Sequence, residues 1–389
     1  MSTVIVGYAR TPFVRFNGVF RDVSATALGG HAVAAALTAA RLEAAAVEYL
    51  LAGQVLQAGA GQNPARQTAV AAGIPLTVPA MTLNAVCLSG MEAVVSAHRL
   101  IAAGEARIVV AVGQESMSLA PHALAGSRKG TSFGPATLID TLEHDGLTDA
   151  FERRSMGLST DTLNDGLHIT REDQDAFAAA SHTRLAAAEQ FLTGEIAPFT
   201  VSGRSEVVVE RDDGLRPDTT PESLARLRAA FREGGTVTAG NASQVSDGAA
   251  ALVLADEALA IERGLPILAR IVSHAMVAGP DVSLHSQPSA AIRRALSLAE
   301  LEAEDLGAVE INEAFAAVGV QSTRDLGIDP VLVNANGGAI ALGHPIGASG
   351  ARIVGHLARR LAERGSGAIG AAAICGGGGQ GSAILLQVP

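Results

Sequence analysis

The chain has 389 residues, of which 48% are hydrophobic, 17% are charged and 43 are glycine, and its formal net charge is −11 at pH 7. This length and composition exclude a disordered or fibrous protein and predict a large hydrophobic core divided among two or three domains. The negative charge argues against a broad nucleic-acid-binding surface, although a small phosphorylated ligand needs only a local basic group.

Membrane insertion and secretion are not expected either. Three long stretches without Asp, Glu, Lys or Arg, 67–91, 331–351 and 367–389, are interrupted by proline or glycine. They predict buried strands and tight loops rather than membrane-spanning helices. No basic segment precedes an apolar one at the N-terminus, which argues against a secretory signal. The two cysteines are far apart and suggest neither a disulfide scaffold nor a metal-binding knuckle, so we expect a cytoplasmic protein without a metal site.

The first 115 residues alternate between strand and helix patterns, which predicts an α/β fold. The segment 107–113 is an apolar run rich in β-branched residues, typical of a strand that is covered on both faces. The other predicted strands are 3–8, 47–56 and 80–83, and a helix is predicted at 25–42.

One cysteine lies where an apolar segment changes to a helix pattern. Residues 88–103 are mostly small or apolar helix formers, and Gly104 ends the run. Cys87 is therefore expected at or just before a helix start, where free backbone N–H groups and the helix dipole favour a thiolate. Such a cysteine is a candidate nucleophile; a small buried hydrophobic residue is the alternative.

The pattern changes between about residues 116 and 240. The charge content rises there, polar turns interrupt the periodicity, and one long helix is predicted at 171–191. Thr170 and Asp173 form a capping pair for that helix. We interpret this stretch as an insertion of loops and helices, after which the core pattern returns at 241–255.

The last third of the chain resembles the first. Residues 295–296 repeat residues 36–37 at an offset of 259, and Ser349-Gly350 repeats Ser89-Gly90 at an offset of 260. Each Ser-Gly pair begins a predicted helix that is followed by a glycine and an apolar strand. A nearly constant offset predicts a duplicated α/β domain, with chance similarity between alanine-rich helices as the alternative. In a duplicated domain, Cys87 and the loop before Ser349 could face one cleft.

Two glycine-rich segments of the last third are candidates for the chemistry. Segment 334–350 contains five glycines and a proline, so His344 is expected in a tight loop before a helix. Cys375 ends an apolar strand and precedes four glycines, whose N–H groups could approach a substrate oxygen; a flexible surface turn is the alternative. The glycine spacing does not match a dinucleotide fingerprint. Asn312 follows another strand and could hold a water or stabilise an oxyanion, or could serve only as a helix N-cap.

Four of these segments together resemble the signature blocks of the thiolase family. They are 84–90 around Cys87, 312–316, 343–347 and 375–379. The resemblance covers essentially the whole chain in the right order. It continues within the insertion at 114–118, 145–151 and 238–243.

The resemblance implies the thiolase fold, an α/β fold in which two duplicated halves form a five-layered αβαβα core with a loop domain inserted in the first half. We predict an N-terminal domain at 1–262, including the loop domain at about 117–242, and a C-terminal domain at 265–389. It also implies an oligomer, either a homotetramer that is a dimer of dimers, which we expect, or a dimer.

The activity implied is that of an acetyl-CoA C-acetyltransferase, which reversibly converts two acetyl-CoA into acetoacetyl-CoA and coenzyme A without a cofactor. Cys87 would carry the acyl group, His344 would take the thiol proton, and Cys375 would remove a proton from the second acetyl-CoA. His344 and a water on Asn312 would stabilise the enolate. The backbone N–H groups of Cys87 and Gly377 would form a second oxyanion hole.

The same matching yields candidate contacts for coenzyme A and the acyl chain. They are Met156, Arg216, Ser223, Ala239, Ser243, Met276 and Phe315. Arg216 is the natural partner for a phosphate, whereas Met and Phe are more often core residues and Ser223 could merely cap a helix. Ser155 stands where biosynthetic acetoacetyl-CoA thiolases commonly have histidine. A degradative 3-ketoacyl-CoA thiolase of broader or longer chain specificity is therefore the alternative, and a non-catalytic acyl-CoA-binding protein is an alternative of another class.

Overall fold

The computed structural model describes residues 1–130, 133–203 and 205–389. The strands are β1 (Thr3–Arg10), β2 (Val14–Arg15), β3 (Tyr49–Gly53), β4 (Ala80–Leu83), β5 (Ile108–Ser116), β6 (His122–Ala123), β7 (Ile139–Asp140), β8 (Phe199–Val201), β9 (Val207–Val209), β10 (Ser246–Asp256), β11 (Ala269–Ala278), β12 (Ala308–Ile311), β13 (Ile369–Gly376) and β14 (Gln380–Gln387). The helices are α1 (Ala25–Ala39), α2 (Pro64–Ala71), α3 (Ser89–Ala102), α4 (Met156–Asn164), α5 (Arg171–Ala187), α6 (Glu189–Thr193), α7 (Pro221–Ala225), α8 (Glu257–Glu262), α9 (Gln287–Ala299), α10 (Ala316–Leu326), α11 (Ala339–Leu342) and α12 (Ser349–Arg364).

The large sheet repeats one strand arrangement twice. Its order is β12-β13-β14-β11-β1-β10-β5-β3-β4, and β2 pairs with β10. The strands β3-β5-β10-β1 correspond to β12-β13-β14-β11, because in both sets the first pair is parallel and the next two are antiparallel. The predicted duplication is therefore confirmed. The two parts of the sheet join through two residue pairs between β1 and β11.

Helices and sheet parts stack in five layers. Helices α3 and α12 lie between the two parts of the sheet and share one apolar core with both of them. Helices α1 and α2 cover the outer face of the first part, and α9 and α10 cover that of the second. Strands buried on both faces need apolar residues at successive positions, which explains the continuous apolar runs in the sequence.

The two central helices meet at glycines that occupy equivalent positions. A Cβ atom on Gly90 would lie 2.6 Å from the carbonyl oxygen of Gly347, and one on Gly350 would lie 2.4 Å from the backbone of α3. Only glycine permits this approach. Because Cys87 precedes α3 and His344 precedes α12, the crossing brings the loops that carry them to the same end of the core.

The insertion lies between β5 and β10 and packs on the second half through α5, which contacts α10 and α11. The predicted capping box of α5 is present, since Thr170 and Asp173 exchange hydrogen bonds. The helix ends at Ala187, earlier than predicted, and the short α6 follows. Among the described residues, no helix is both long and apolar enough to cross a membrane.

A buried ionic network connects the insertion to both halves. The guanidinium of Arg10, at the end of β1, lies 2.7 Å from Glu195 and 2.6 Å from Asp212. On its other side Glu195 lies 3.0 Å from His356 of α12, whose far edge faces Glu310 of β12 at 3.8 Å. Burial by itself raises the pKa of Glu195, but the neighbouring His356 and Arg10 outweigh it and lower that pKa to about 2.

Candidate active site

Cys87 lies in a tight turn between β4 and α3. Helix α3 begins at Ser89, so the predicted position just before a helix start is confirmed. The turn places Val86 at φ 53°, in the left-handed region that a β-branched residue rarely adopts. The Ser89 hydroxyl donates to the carbonyl of Val86 at 2.6 Å and accepts from the N–H of Ala85 at 2.9 Å. These two bonds hold the strained turn in place.

The surroundings of the Cys87 sulfur keep it protonated. The side chain is half-buried against an apolar cluster that includes Met117 and Ile346. This burial raises the pKa of Cys87 to about 12, the charge of Glu115 acts in the same direction, and a hydrogen bond from the backbone N–H of Gly377 opposes them. Desolvation therefore outweighs the effect of the helix start, which we expected to favour a thiolate. The thiol needs a base in order to react.

A buried carboxylate joins the loops of the two halves near this cysteine. Glu115, at the end of β5, accepts hydrogen bonds from the N–H groups of Val55 at 3.0 Å and Leu56 at 3.1 Å in the first half. It also accepts from Gly347 at 2.9 Å, in the loop that carries His344. Burial raises the pKa of Glu115 to about 7. Three N–H donors from both halves thus converge on one side chain.

His344 lies in a turn between α11 and α12, as predicted. Gly343, just before it, has φ 104°, and a Cβ atom there would lie 2.1 Å from the Ser246 hydroxyl. The N–H of His344 donates to the carbonyl of Gln244 at 2.9 Å. Glycine is therefore required at the entry to the turn, and the segment just before β10 anchors the residue that follows it.

The His344 imidazole is 6% exposed and contacts polar groups at both nitrogens. Nδ1 lies 2.6 Å from the hydroxyl of Ser349, and Nε2 lies 3.4 Å from the amide nitrogen of Asn312. Burial and the positive charge of Arg352 lower the pKa of His344 to about 4. At neutral pH the imidazole is therefore neutral and the Cys87 thiol is protonated, as a general base and a nucleophile must be before they react.

Asn312 is held rigidly at the end of β12. Its N–H donates to the carbonyl of Ala373 in β13 at 2.9 Å. Helix α10 begins at Ala316 with Phe315 as its N-cap, so the alternative role of Asn312 as a helix cap is wrong. Its side-chain oxygen is buried without a hydrogen-bond partner among the described residues. Such an oxygen is placed to accept from a water or a substrate.

Cys375 and the glycines after it pack on the Cys87 turn. Cys375 is 1% exposed, and burial together with the nearby Cys87 raises its pKa. A Cβ atom on Gly376 would lie 1.9 Å from the Leu88 side chain, and one on Gly377 would lie 3.4 Å from that of Val86. The glycine segment is therefore part of the site and not a free surface turn.

A mostly apolar cavity of about 310 Å³ opens beside His344. Three of the seven predicted substrate contacts line it, namely Met156, Ser243 and Phe315. Ser155 lines it as well. Apolar side chains that sequence reasoning did not single out complete its walls: Met117, Leu147, Phe231 and Ile346.

The other four predicted contacts lie outside this cavity. Arg216 and Ala239 are exposed on the insertion. Ser223 forms a capping box with Thr220 at the start of α7, which is the alternative role proposed for it. Met276 lies on β11, 43% exposed and paired with Ser382. The structure therefore brings together Cys87, His344, Asn312, Cys375 and Gly377 with three of the contacts, but not with these four.

Sequence reasoning missed two polar groups of the site, Glu115 and Ser349. Each has a signal in the sequence: Glu115 follows the apolar run of β5, and Ser349 belongs to the duplicated Ser-Gly pair. Neither signal identifies a partner. Within the described part of the chain, no cluster of three or more His, Cys, Asp or Glu side chains could hold a metal ion.

Comparisons with known proteins agree with this geometry. The family model for the thiolase N-terminal domain matches residues 3–258, and that for the thiolase C-terminal domain matches residues 265–388. A probable acetyl-CoA acetyltransferase of Mycolicibacterium smegmatis is 52% identical over 388 residues, covering 99% of this chain and 100% of the relative.

Two solved structures share the whole fold. The acetyl-CoA acetyltransferase of Bacillus anthracis has a TM-score of 0.96 at 38% identity, covering 100% of this chain and 99% of that one. Human mitochondrial 3-ketoacyl-CoA thiolase has a TM-score of 0.94 at 37% identity, with 100% and 98% covered. The chain therefore belongs to the thiolase family and has the thiolase fold.

Proposed function

We propose that this thiolase is an acetyl-CoA C-acetyltransferase, which converts two acetyl-CoA into acetoacetyl-CoA and coenzyme A and also runs in reverse. The observation that carries the proposal is that Cys375 and Gly377 lie against the turn that holds Cys87, while His344, which contacts Asn312, lines a mostly apolar cavity. Relatives that carry the name acetyl-CoA acetyltransferase, over the full length of the chain, support the same activity.

In the first half-reaction, His344 Nε2 takes the proton of the Cys87 thiol as the sulfur attacks the thioester carbonyl. The pKa values of the two groups, about 12 and about 4, place both in the required resting form. The tetrahedral oxyanion would accept hydrogen bonds from the backbone N–H groups of Cys87 and Gly377. Removing one donor of this kind typically lowers the rate about 10²- to 10³-fold. The departing coenzyme A sulfur takes the proton of Cys375, leaving acetylated Cys87.

In the second half-reaction, the Cys375 thiolate removes a proton from C2 of a second acetyl-CoA. Its raised pKa makes it a strong base once it has lost its own proton. The enolate oxygen would lie between the protonated His344 and a water on Asn312. The carbanion attacks the acetyl group on Cys87, and the Cys87 sulfur leaves with the proton held by His344. All groups then return to their starting state.

A 3-ketoacyl-CoA thiolase of broader or longer chain specificity is the second candidate. The observation in its favour is that the small Ser155 lines the cavity, where family members that act on acetoacetyl-CoA commonly carry a histidine. The likeness to human mitochondrial 3-ketoacyl-CoA thiolase is compatible with either chain length. A non-catalytic acyl-CoA-binding role is disfavoured, since both thiols and the neutral imidazole are present.

The test is thiolysis of acetoacetyl-CoA and of 3-ketooctanoyl-CoA by the purified protein. We expect a higher kcat/KM for acetoacetyl-CoA, and faster turnover of the longer substrate would replace the proposal with the second candidate. Incubation with acetyl-CoA should leave one labile acetyl group on Cys87. Cys375→Ser should retain this acetylation and lose condensation, whereas loss of both would overturn the assigned roles.

The same proposal includes the assembly and organisation expected from the sequence. We propose a homotetramer, built as a dimer of dimers, with domains at 1–262 and 265–389 and a loop domain at about 117–242. Residues 3–258 and 265–388, matched by separate family models, support this division. We also propose a cytoplasmic enzyme without a resident cofactor. Sedimentation of the purified protein tests the assembly, and a stable dimer at micromolar concentration would contradict it.

A further inference from the structure

We infer that Ser349 is a positioning residue that fixes the tautomer of His344, so that Nδ1 carries the proton and Nε2 is free to receive one from Cys87. This inference rests on the proposed function for its consequence. Its premise is a hydrogen-bond arrangement in the resting protein. It is compared below with the arrangement around Ser89, which begins α3 as Ser349 begins α12.

Only one arrangement of protons satisfies both contacts of the Ser349 hydroxyl. Its oxygen lies 2.6 Å from Nδ1 of His344 and 3.1 Å from the carbonyl oxygen of Pro345. The carbonyl oxygen can only accept, whereas Nδ1 donates or accepts according to the tautomer, so both contacts are hydrogen bonds only when the hydroxyl proton points to Pro345 and Nδ1 carries a proton. The hydroxyl oxygen then accepts from an N–H at Nδ1. Ser349 is 1% exposed and bonds to no other group among the described residues.

The other edge of the ring agrees with this tautomer. Nε2 faces the amide nitrogen of Asn312 at 3.4 Å, a donor that is matched by a lone pair and not by an N–H. At this distance the contact is weak, so the lone pair remains available to the thiol. After proton transfer, the imidazolium keeps its acceptor at Nδ1. A carboxylate at this position would favour a permanently protonated ring. The neutral hydroxyl provides an acceptor without that charge.

The duplicated half provides an independent check of the hydroxyl geometry. Ser89 occupies the position equivalent to Ser349, at the start of α3. Its hydroxyl also donates backward, to the carbonyl of Val86, and it accepts from the N–H of Ala85, which can only donate. The same hydroxyl orientation therefore occurs twice. In the first half it holds the turn of the nucleophile, and in the second it holds the ring of the base.

The direct test is the ¹⁵N spectrum of protein labelled at histidine, recorded at neutral pH without substrate. We expect His344 to show a protonated Nδ1 and an unprotonated Nε2, with its signals assigned by their loss in His344→Gln. A protonated Nε2 in the resting protein would overturn the inference. Since no substrate is present, this outcome is distinguishable from a failure of the proposed activity, which appears only in the thiolysis assay.

Variants extend the test to the role of the hydroxyl. Ser349→Ala should remove the Nδ1–H signature and lower kcat for thiolysis by about tenfold or more, with KM nearly unchanged because Ser349 lies beneath the imidazole. Ser349→Thr, which retains a hydroxyl, should restore both. Ser89→Ala is the matched control, since it should leave the His344 spectrum unchanged. A Ser349→Ala protein that folds and keeps the Nδ1–H signature contradicts the inference; if it does not fold, the Ser349→Thr and unsubstituted spectra decide.

Discussion

The helices α3 and α12 occupy equivalent positions in the two halves, yet different catalytic groups precede them. The turn before α3 presents a thiol, Cys87, and the turn before α12 presents an imidazole, His344. Both helices begin with Ser-Gly, and both glycines lie at the crossing. In the mechanism that we propose, the duplicated scaffold therefore divides the chemistry between the halves. Neither half then holds both the nucleophile and its base.

The two helices also differ along their length. His356 and Arg360 of α12 stand where α3 has Ser96 and Leu100, at an offset of 260. His356 contacts Glu195 and Arg360 contacts Glu310, and both of these acids are buried. Because Glu195 of the insertion belongs to the buried ionic network, the insertion is fastened to the helix of the second half by charge. The first half has no charged side chain at the two corresponding positions.

Removal of the Cys87 thiol, which only the first half supplies, should have the largest effect on activity. Cys87→Ser is expected to lower thiolysis of acetoacetyl-CoA at least about 10³-fold, because the hydroxyl is a much weaker nucleophile beside a neutral imidazole. Intact-protein mass after incubation with acetyl-CoA should show no acetylation, while Cys375→Ser should show one acetyl group. Acetylation of Cys87→Ser at any other residue would move the nucleophile elsewhere.

Acid should weaken the buried ionic network that connects the insertion to both halves. In the folded protein the pKa of Glu195 is about 2, below its ordinary value of 4.5. The stability that it contributes is therefore present above about pH 4.5 and is lost as the pH falls toward 2, about 3 kcal/mol in all. We expect the thermal midpoint to fall over this range, and to fall less steeply in Glu195→Gln.

The exposed Glu262 provides a control for the acid experiment. It lies near the end of α8 and makes no side-chain hydrogen bond within the described ranges. Glu262→Gln should therefore leave the slope of midpoint against pH unchanged. An equal slope in Glu195→Gln and in the unsubstituted protein would show that the network is not what acid disrupts.

An added methyl group where α3 and α12 cross should disturb the packing of both halves. In Gly90→Ala the new methyl group would lie 2.6 Å from the Gly347 carbonyl, which belongs to backbone and cannot rotate away. We expect a loss of about 1–3 kcal/mol in stability, which the gain of about 1 kcal/mol in helix propensity does not offset. Turnover should fall as well, since Gly347 lies in the loop of His344. In the control Gly166→Ala the nearest atom is 3.7 Å away, so stability should be retained.

The smallest expected effect concerns substrate choice within the cavity. Ser155→His places an imidazole among the cavity walls and should lower kcat/KM for 3-ketooctanoyl-CoA relative to acetoacetyl-CoA by up to about tenfold. Ser155 also caps α4, accepting from the N–H of Leu158 at 3.2 Å. Ser155→Ala loses that cap without filling space, so it is the matched control. A similar change in selectivity for both variants would attribute the effect to the cap.

Local features of the fold and site could be predicted because they depend on neighbouring residues. The helix start after Cys87, the tight loop at His344 and the capping box of α5 follow from periodicity, glycine and capping chemistry. Strand limits were less accurate. The predicted strand at 47–56 is observed at Tyr49–Gly53, because the residues around it are apolar in loops that are also buried.

The features that could not be predicted depend on residues distant in sequence. The Glu115 carboxylate and its donor Gly347 are 232 positions apart, and no local pattern relates them. The raised pKa of Cys87 could not be predicted for the same reason. The helix start is visible in the sequence, but the apolar cluster that desolvates the sulfur comes from the β3 loop, the insertion and the His344 loop.

The burial of Cys87 has a consequence for the chemical lifetime of the enzyme. Oxidants and adventitious electrophiles react with thiolates, and a pKa of about 12 instead of 9.0 leaves roughly a thousandfold less thiolate at rest. In the proposed mechanism, a thioester bound beside His344 meets a sulfur that is losing its proton, whereas hydrogen peroxide in solution meets a thiol. The apolar cluster around Cys87 thus slows the reactions of the sulfur with other electrophiles. Acyl transfer is affected less, because His344 would serve as its base.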